Sequence, residues 1–123
     1  MPMFNMPKSE MPKTGMPSGA LAMLILRVLH SGPLHGYAIA QRIHVLSSEV
    51  LEVEEGSLYP ALQRLLKAKL VKAEWGLSST NRRVRTYQIT ATGLRHLERE
   101  ISSFERMFEG ISLVLNPVDP IPN

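Results

Sequence analysis

Apolar positions along this chain recur with two periods. Leu21, Leu24, Ile25, Val28 and Leu29 follow helical spacing over about residues 18–30, with Ser18 placed to cap the helix and Gly32-Pro33 to stop it. A second, shorter helix over about residues 36–47 turns Tyr37, Ala40, Ile43 and Leu46 inward. Residues 50–53 make a short extended piece, and a third helix covers about 55–68. Residues 71–77 and 84–90 then have strand character, joined by the polar link Ser78-Ser79-Thr80-Asn81-Arg82, which suits a hairpin loop. Thr90 caps a long last helix that carries Gly93 in its first turn and reaches about residue 115.

Helix, helix, helix, hairpin, long helix is the order of a winged helix-turn-helix with one extra C-terminal helix. The expected fold is mainly α (α+β), with a two-stranded wing and a long C-terminal dimerisation helix. The expected organisation is a Met/Pro-rich tail over 1–17, a winged domain over 18–90, the dimerisation helix over 91–115 and a tail over 116–123.

The third helix has two distinct faces. Leu58, Leu62, Leu65 and Leu66 form a stripe that packs on the first two helices. Opposite it lie Pro60, Gln63, Arg64 and Lys67, with Ser57 and Tyr59 near the helix start. That outward set combines side chains able to read base edges (Gln63, Arg64) with ones able to bond phosphate (Ser57, Tyr59, Lys67). Alone it is equally an ordinary solvated face; followed by an arginine-rich hairpin it points to DNA. Pro60 leaves the helix start open, since proline is best tolerated at the first helical position. A start near Glu55 would cost one backbone hydrogen bond and introduce a slight kink.

The hairpin carries Arg82, Arg83 and Arg85 at or beside its tip, a single-sign cluster explained by an anionic partner. Trp75 and Tyr87 are expected to anchor the hairpin to the domain body, with a ligand-pocket role for Trp75 as the alternative. In the last helix Leu94, Leu97, Ile101, Phe104, Phe108, Ile111 and Leu115 are spaced 3, 4, 3, 4, 3, 4, a heptad seam. The alternative, burial against its own first helix, accounts for part of the stripe; the period of 3.5 favours a partner helix and hence a homodimer.

The charge distribution sharpens this picture. The chain has 123 residues and a formal charge of +3. Residues 56–95 hold eight basic side chains (Arg64, Lys67, Lys69, Lys72, Arg82, Arg83, Arg85, Arg95) against Glu74 alone, while both flanking segments are net acidic. A concentrated block of one sign attracts a polyanion where the same charge spread evenly does not.

Other chemistries find little support. The chain contains no cysteine, which excludes disulfides, thiolate zinc sites and cysteine nucleophiles and makes the cytoplasm the default location. The longest apolar run, residues 20–26, stops at Arg27, well short of the roughly 18 residues that span a membrane, so no membrane association is expected. The start lacks the continuous apolar stretch of a secretory signal. His30, His35, His44 and His96 have no ligand-type spacing, and the one aspartate is Asp119. No phosphate loop or nucleophile motif is present, so neither an enzyme nor a metal or other cofactor is expected. His35, before a glycine, suits a loop or capping role. The repeats Met6-Pro7, Met11-Pro12 and Met16-Pro17 read as a disordered or extended tail, with a Cu(I)-binding tail as the alternative.

Three segments together resemble a known family. Gly36-Tyr37-Ala38-Ile39, then Gly56-Ser57-Leu58-Tyr59-Pro60-Ala61-Leu62-Gln63-Arg64-Leu65, then Trp75 followed by Arg83-Val84-Arg85-Thr86-Tyr87-Gln88-Ile89-Thr90-Ala91-Thr92-Gly93, resemble the PadR family of transcriptional regulators over about residues 18–112. The resemblance implies a homodimeric winged-helix repressor that binds double-stranded DNA. A small aromatic or drug-like effector releases some members from DNA. It places Ser57, Tyr59, Pro60 and Arg64 on the recognition helix and Arg83 and Arg85 on the wing. Tyr37, opening the second helix, supports the recognition helix or touches phosphate. The chain departs from the family pattern in three respects: Lys69 stands where glycine is usual, implying positive φ; the C-terminal region is a single helix; and the Met-Pro tail is extra. A different class of reading is a winged-helix interaction module whose basic wing binds an acidic protein.

Overall fold

Helix α1 (Ser18–Leu29) is the floor of the core. Leu21, Ile25, Leu26, Val28 and Leu29 are all buried, too many for one face, so α2, α3 and α4 pack around it. The computed structural model describes residues 18–118. The Met-Pro repeat and its thioethers, together with residues 119–123 of the C-terminal tail, lie outside the described residues.

After Gly32-Pro33 ends α1, Leu34–His35 form a short strand, β1, absent from the sequence-based expectation. It pairs antiparallel with β3 (Arg83–Ile89) through Leu34↔Tyr87 and His35↔Thr86, while β2 (Val71–Leu77) pairs on the other side of β3. The sheet is therefore three-stranded, order β1-β3-β2, with the wing hairpin as its long part. Two residues are too few for an alternating pattern to register.

His35 is the N-cap of α2 (Gly36–Leu46), its Nδ1 accepting the Ala38 N–H at 3.3 Å, which bears out the capping role. The inward face of α2 is Gly36, Ile39 and Ile43. Tyr37 and Leu46, expected inside, are exposed. The buried set advances by 3 and 4 from Gly36, placing Tyr37 about 100° round the helix from the core-facing line. Residues 50–53, expected to be extended, are irregular apart from a single bridge at Leu51.

Helix α3 runs Glu55–Lys67 with Pro60 inside it, which settles where it starts. A mid-helix proline costs roughly 3 kcal/mol and leaves the Gly56 carbonyl without its intrahelical donor. Leu58, Leu62 and Leu65 are buried, each worth about 1.5–3 kcal/mol, so packing outweighs the local penalty. Lys69, in the turn out of α3, has φ 62, as the departure from glycine implies.

Thr90 locks the wing domain to α4 (Ala91–Leu115). Its Oγ1 accepts the Gly93 N–H at 3.0 Å and donates towards the carbonyls of Lys69 (2.8 Å) and Leu70 (3.1 Å), while its N–H donates to the Leu70 carbonyl at 3.0 Å. The first turn of α4 thus lies directly on the Leu70 carbonyl, and a Cβ on Gly93 would collide with it.

The heptad stripe of α4 divides between two environments. Leu97 is 2% exposed in its own chain's core, and Leu94 and Ile101 pack against that core. Leu97 therefore has no surface to give a partner, a correction to its expected place in the dimer seam. An intrachain core needs apolar residues at the same helical spacing as a coiled coil over one or two turns, so the pattern does not separate the two uses. Beyond Ile101 the stripe opens to the surface: Phe104, Phe108, Ile111 and Leu115 are all exposed, the last at 70%.

Candidate nucleic-acid interface

The outward residues of α3 stand where the helix periodicity puts them. Ser57, Tyr59, Pro60, Gln63, Arg64 and Lys67 are all exposed, opposite the buried stripe of Leu58, Ala61, Leu62 and Leu65. Tyr59 is seated on the start of α2. A Cβ at Gly36 would come within 3.0 Å of its hydroxyl and 3.1–3.2 Å of its ring, so the absence of a side chain at Gly36 is what lets α3 approach. One turn on, the Tyr37 hydroxyl accepts from Gln41 Nε2 at 3.2 Å, tying the exposed ring to its own helix.

The wing is a regular seven-residue ladder from Val71↔Ile89 to Leu77↔Arg83. Asn81 takes the left-handed conformation (φ 61) at the tip, and Ser78 closes the loop by bonding the Arg82 backbone in both directions. Strand alternation puts Val71, Ala73, Trp75 and Leu77 on one face with Ile89, Tyr87, Arg85 and Arg83. At the base that face is core, with Val71 and Tyr87 buried. Towards the tip the same face emerges as Trp75, Leu77 and Arg83, with Arg85 half-buried between them and Tyr87.

Tyr87 anchors the hairpin as expected. Trp75 does not: it is 58% exposed and covered by arginines, with the Arg83 guanidinium 4.6 Å and the Arg85 guanidinium 5.9 Å from its ring centroid. Arg85 also lies 5.8 Å from the Tyr87 ring. The signal for an exposed Trp75 was its register partner, an arginine.

Helix and wing meet in one groove. His35, Gly36 and Tyr37 from the start of α2, Tyr59 and Gln63 from α3, and Trp75, Val84, Arg85 and Tyr87 from the wing line a concavity of about 540 Å³. Of the residues singled out from sequence, the structure brings Tyr37, Tyr59, Gln63 and Arg85 together there. Arg83 joins them by stacking on Trp75. Ser57, Pro60, Arg64, Lys67 and Arg82 are exposed outside the groove lining. Among the described residues, none of Arg64, Lys67, Arg82, Arg83 and Arg85 is neutralised by a carboxylate, so their charge is available to an external anion.

No group of described residues has the composition of a metal site, and no described helix is long and apolar enough to cross a membrane.

Comparison with known proteins agrees with this architecture. An uncharacterised protein from Lysinibacillus sphaericus is 28% identical over 101 residues, 82% of this chain and 93% of that protein. A transcriptional regulator from Clostridium thermocellum superposes with a TM-score of 0.70 at 29% identity, over 76% of this chain and 91% of that one. A PadR-like transcriptional regulator from Bacillus cereus strain ATCC 14579 gives 0.68 at 28% identity, over 80% and 93%. The model of the transcriptional regulator PadR-like family matches residues 25–99, which include α2, α3, both wing strands and the Thr90–Gly93 junction. The chain belongs to the PadR-like family of transcriptional regulators, proteins that act on DNA and not as enzymes.

Proposed function

We propose that this chain is a homodimeric, sequence-specific repressor that binds an inverted-repeat operator. The observation that carries the reading is the shared groove, in which Gln63 of α3 and Arg85 of the wing face one concavity. A helix suited to the major groove beside a basic hairpin matches adjacent features of one duplex, with the intervening phosphate ridge running between them. In this reading Gln63 and Arg64 address base edges, adenine and guanine being their usual partners. Ser57, Tyr59, Lys67, Arg82, Arg83 and Arg85 bond phosphate, Tyr37 supports Tyr59 or reaches phosphate, and Pro60 offers an apolar surface of the kind that meets a thymine methyl.

The second copy is supported by α4. Phe104, Phe108, Ile111 and Leu115 form one exposed stripe on α4. Phe104 and Met107 also line an apolar groove of about 320 Å³ against Gly19, Ala20 and Met23 of α1. Covering these side chains on both copies is a gain of up to about 1.5–3 kcal/mol each, set against the cost of association, and it supports a partner helix. Two recognition helices held about 34 Å apart by a two-fold axis would meet successive major grooves.

Fluorescence anisotropy against salt tests the reading. With Lys67, Arg82, Arg83 and Arg85 from each of two protomers on phosphate, affinity for duplex DNA should fall about 10³- to 10⁵-fold between roughly 50 and 200 mM salt. An affinity independent of salt would refute it, and tighter binding to an acidic protein than to DNA would establish the interaction-module reading instead.

A further inference from the structure

Trp75 is a bulky apolar ring at the wing side of the α3 groove, 58% exposed, and burial in the core does not explain it. It sits directly across the ladder from Arg85, and Arg83 is two residues along the same face of β3. Two guanidiniums so placed repel each other. The wing's one acid, Glu74, points to the opposite face in register with Thr86 and offers no counter-charge on this side. The negative π-face of the indole does, with Arg83 at 4.6 Å and Arg85 at 5.9 Å. A guanidinium lying over an aromatic ring keeps its in-plane N–H donors free, and those are the donors that grip phosphate in a fork.

We propose that Trp75 is a positioning residue for DNA binding, holding Arg83 and Arg85 over its ring as a preformed cationic pair aimed at phosphate beside the α3 groove. This rests on the DNA-binding reading above. Free arginines on a wing lose side-chain entropy when they meet phosphate; arginines already stacked on an indole lose less, so the ring strengthens binding without touching the nucleic acid.

A double-mutant cycle on a mixed-sequence duplex of about 30 base pairs isolates this role, since phosphate contact needs no operator. Each exposed stack is worth about two- to fivefold in an equilibrium constant, so losing both in Trp75→Ala should weaken binding about four- to twenty-five-fold. Trp75→Phe, which keeps a ring, should recover most of the loss. In an Arg83→Ala/Arg85→Ala background, Trp75→Ala should cost nothing further. Trp75 is the chain's only tryptophan, so Arg83→Ala should also change the indole emission of the DNA-free protein. Wild-type affinity from Trp75→Ala, an equal loss with and without the arginines, or emission indifferent to Arg83 each overturns the proposal. Should Trp75→Ala fail to fold, the Trp75→Phe affinity and the emission of the arginine variants still decide it. A wild-type chain that binds no duplex at all defeats the DNA reading itself, a result separable from the stack, which the emission reads without DNA.

Discussion

Replacing Gly93 with alanine should destabilise the chain far more than its place in a helix suggests. In an unconstrained helix interior, Gly→Ala gains about 1 kcal/mol. At Gly93 the new methyl would fall on the Leu70 carbonyl oxygen and come within 2.9 Å of Ile89 Cγ1 and 3.0 Å of the Leu70 carbonyl carbon. Backbone, unlike a flexible side-chain end, cannot step aside cheaply, so the first turn of α4 must lift from the turn before β2. Lifting it strains the Thr90 N–H and Oγ1 bonds to Leu70 and Lys69, each worth about 1 kcal/mol. Overpacking adds roughly 1–3 kcal/mol. After the propensity gain, the net loss should be about 2–4 kcal/mol. Urea unfolding followed by circular dichroism measures it, with Gly110→Ala as control because nothing lies within 4 Å of its Cβ position. A loss below about 1 kcal/mol, or equal behaviour of the two variants, would refute the close approach of α4 to Leu70.

Four further outcomes follow from the same geometry. Arg64→Ala should cost roughly 1–3 kcal/mol on an operator and blur preference at one base pair, whereas Arg83→Ala with Arg85→Ala should weaken all sequences alike; equal effects on operator and random duplex would remove Arg64 as a specificity residue. Phe104→Glu should yield monomers by sedimentation with the monomer fold intact, because this ring is exposed in the single chain; an unchanged dimer would move the interface elsewhere. Lys69→Gly should stabilise by about 0.5–1 kcal/mol in urea by relieving the left-handed backbone at φ 62, and a loss of stability would show that no strain is held there. Thr90→Ala should cost about 1–2 kcal/mol of stability through the lost cap, and a neutral result in the same unfolding assay would deny it that role.

The parts legible in the sequence are those where one residue type answers one local demand. Thr90 caps α4 and Gly93 sits in its first turn because a hydroxyl and a missing side chain are needed three residues apart. Lys69 could be assigned positive φ because it stands where the resembled family usually has glycine, and its φ is 62. The face of α3 followed from leucine spacing alone. What stayed hidden depends on where the body of the domain ends. Trp75 and Tyr87 share one face of the hairpin, and only the extent of the packing beneath decides that Tyr87 is buried and Trp75 is not. Leu97 and Phe108 share one stripe of α4, yet Leu97 is buried in the core and Phe108 is exposed. Pro60 could not be placed because local propensity and tertiary packing disagree, and packing wins.

In the proposed complex the outer side of α3 and the arginine wing form one surface, carried twice by a symmetric pair. The chain has no cysteine, so a single Gln63→Cys or Arg82→Cys provides a unique attachment point for a DNA-cleaving iron chelate. On an operator selected from genomic fragments, each probe should give two cleavage clusters, related by a two-fold axis and about one helical turn apart. The wing clusters should lie within about half a turn of the helix clusters. Cleavage by the helix probe with none from the wing probe, or a single unpaired cluster from both, would contradict it.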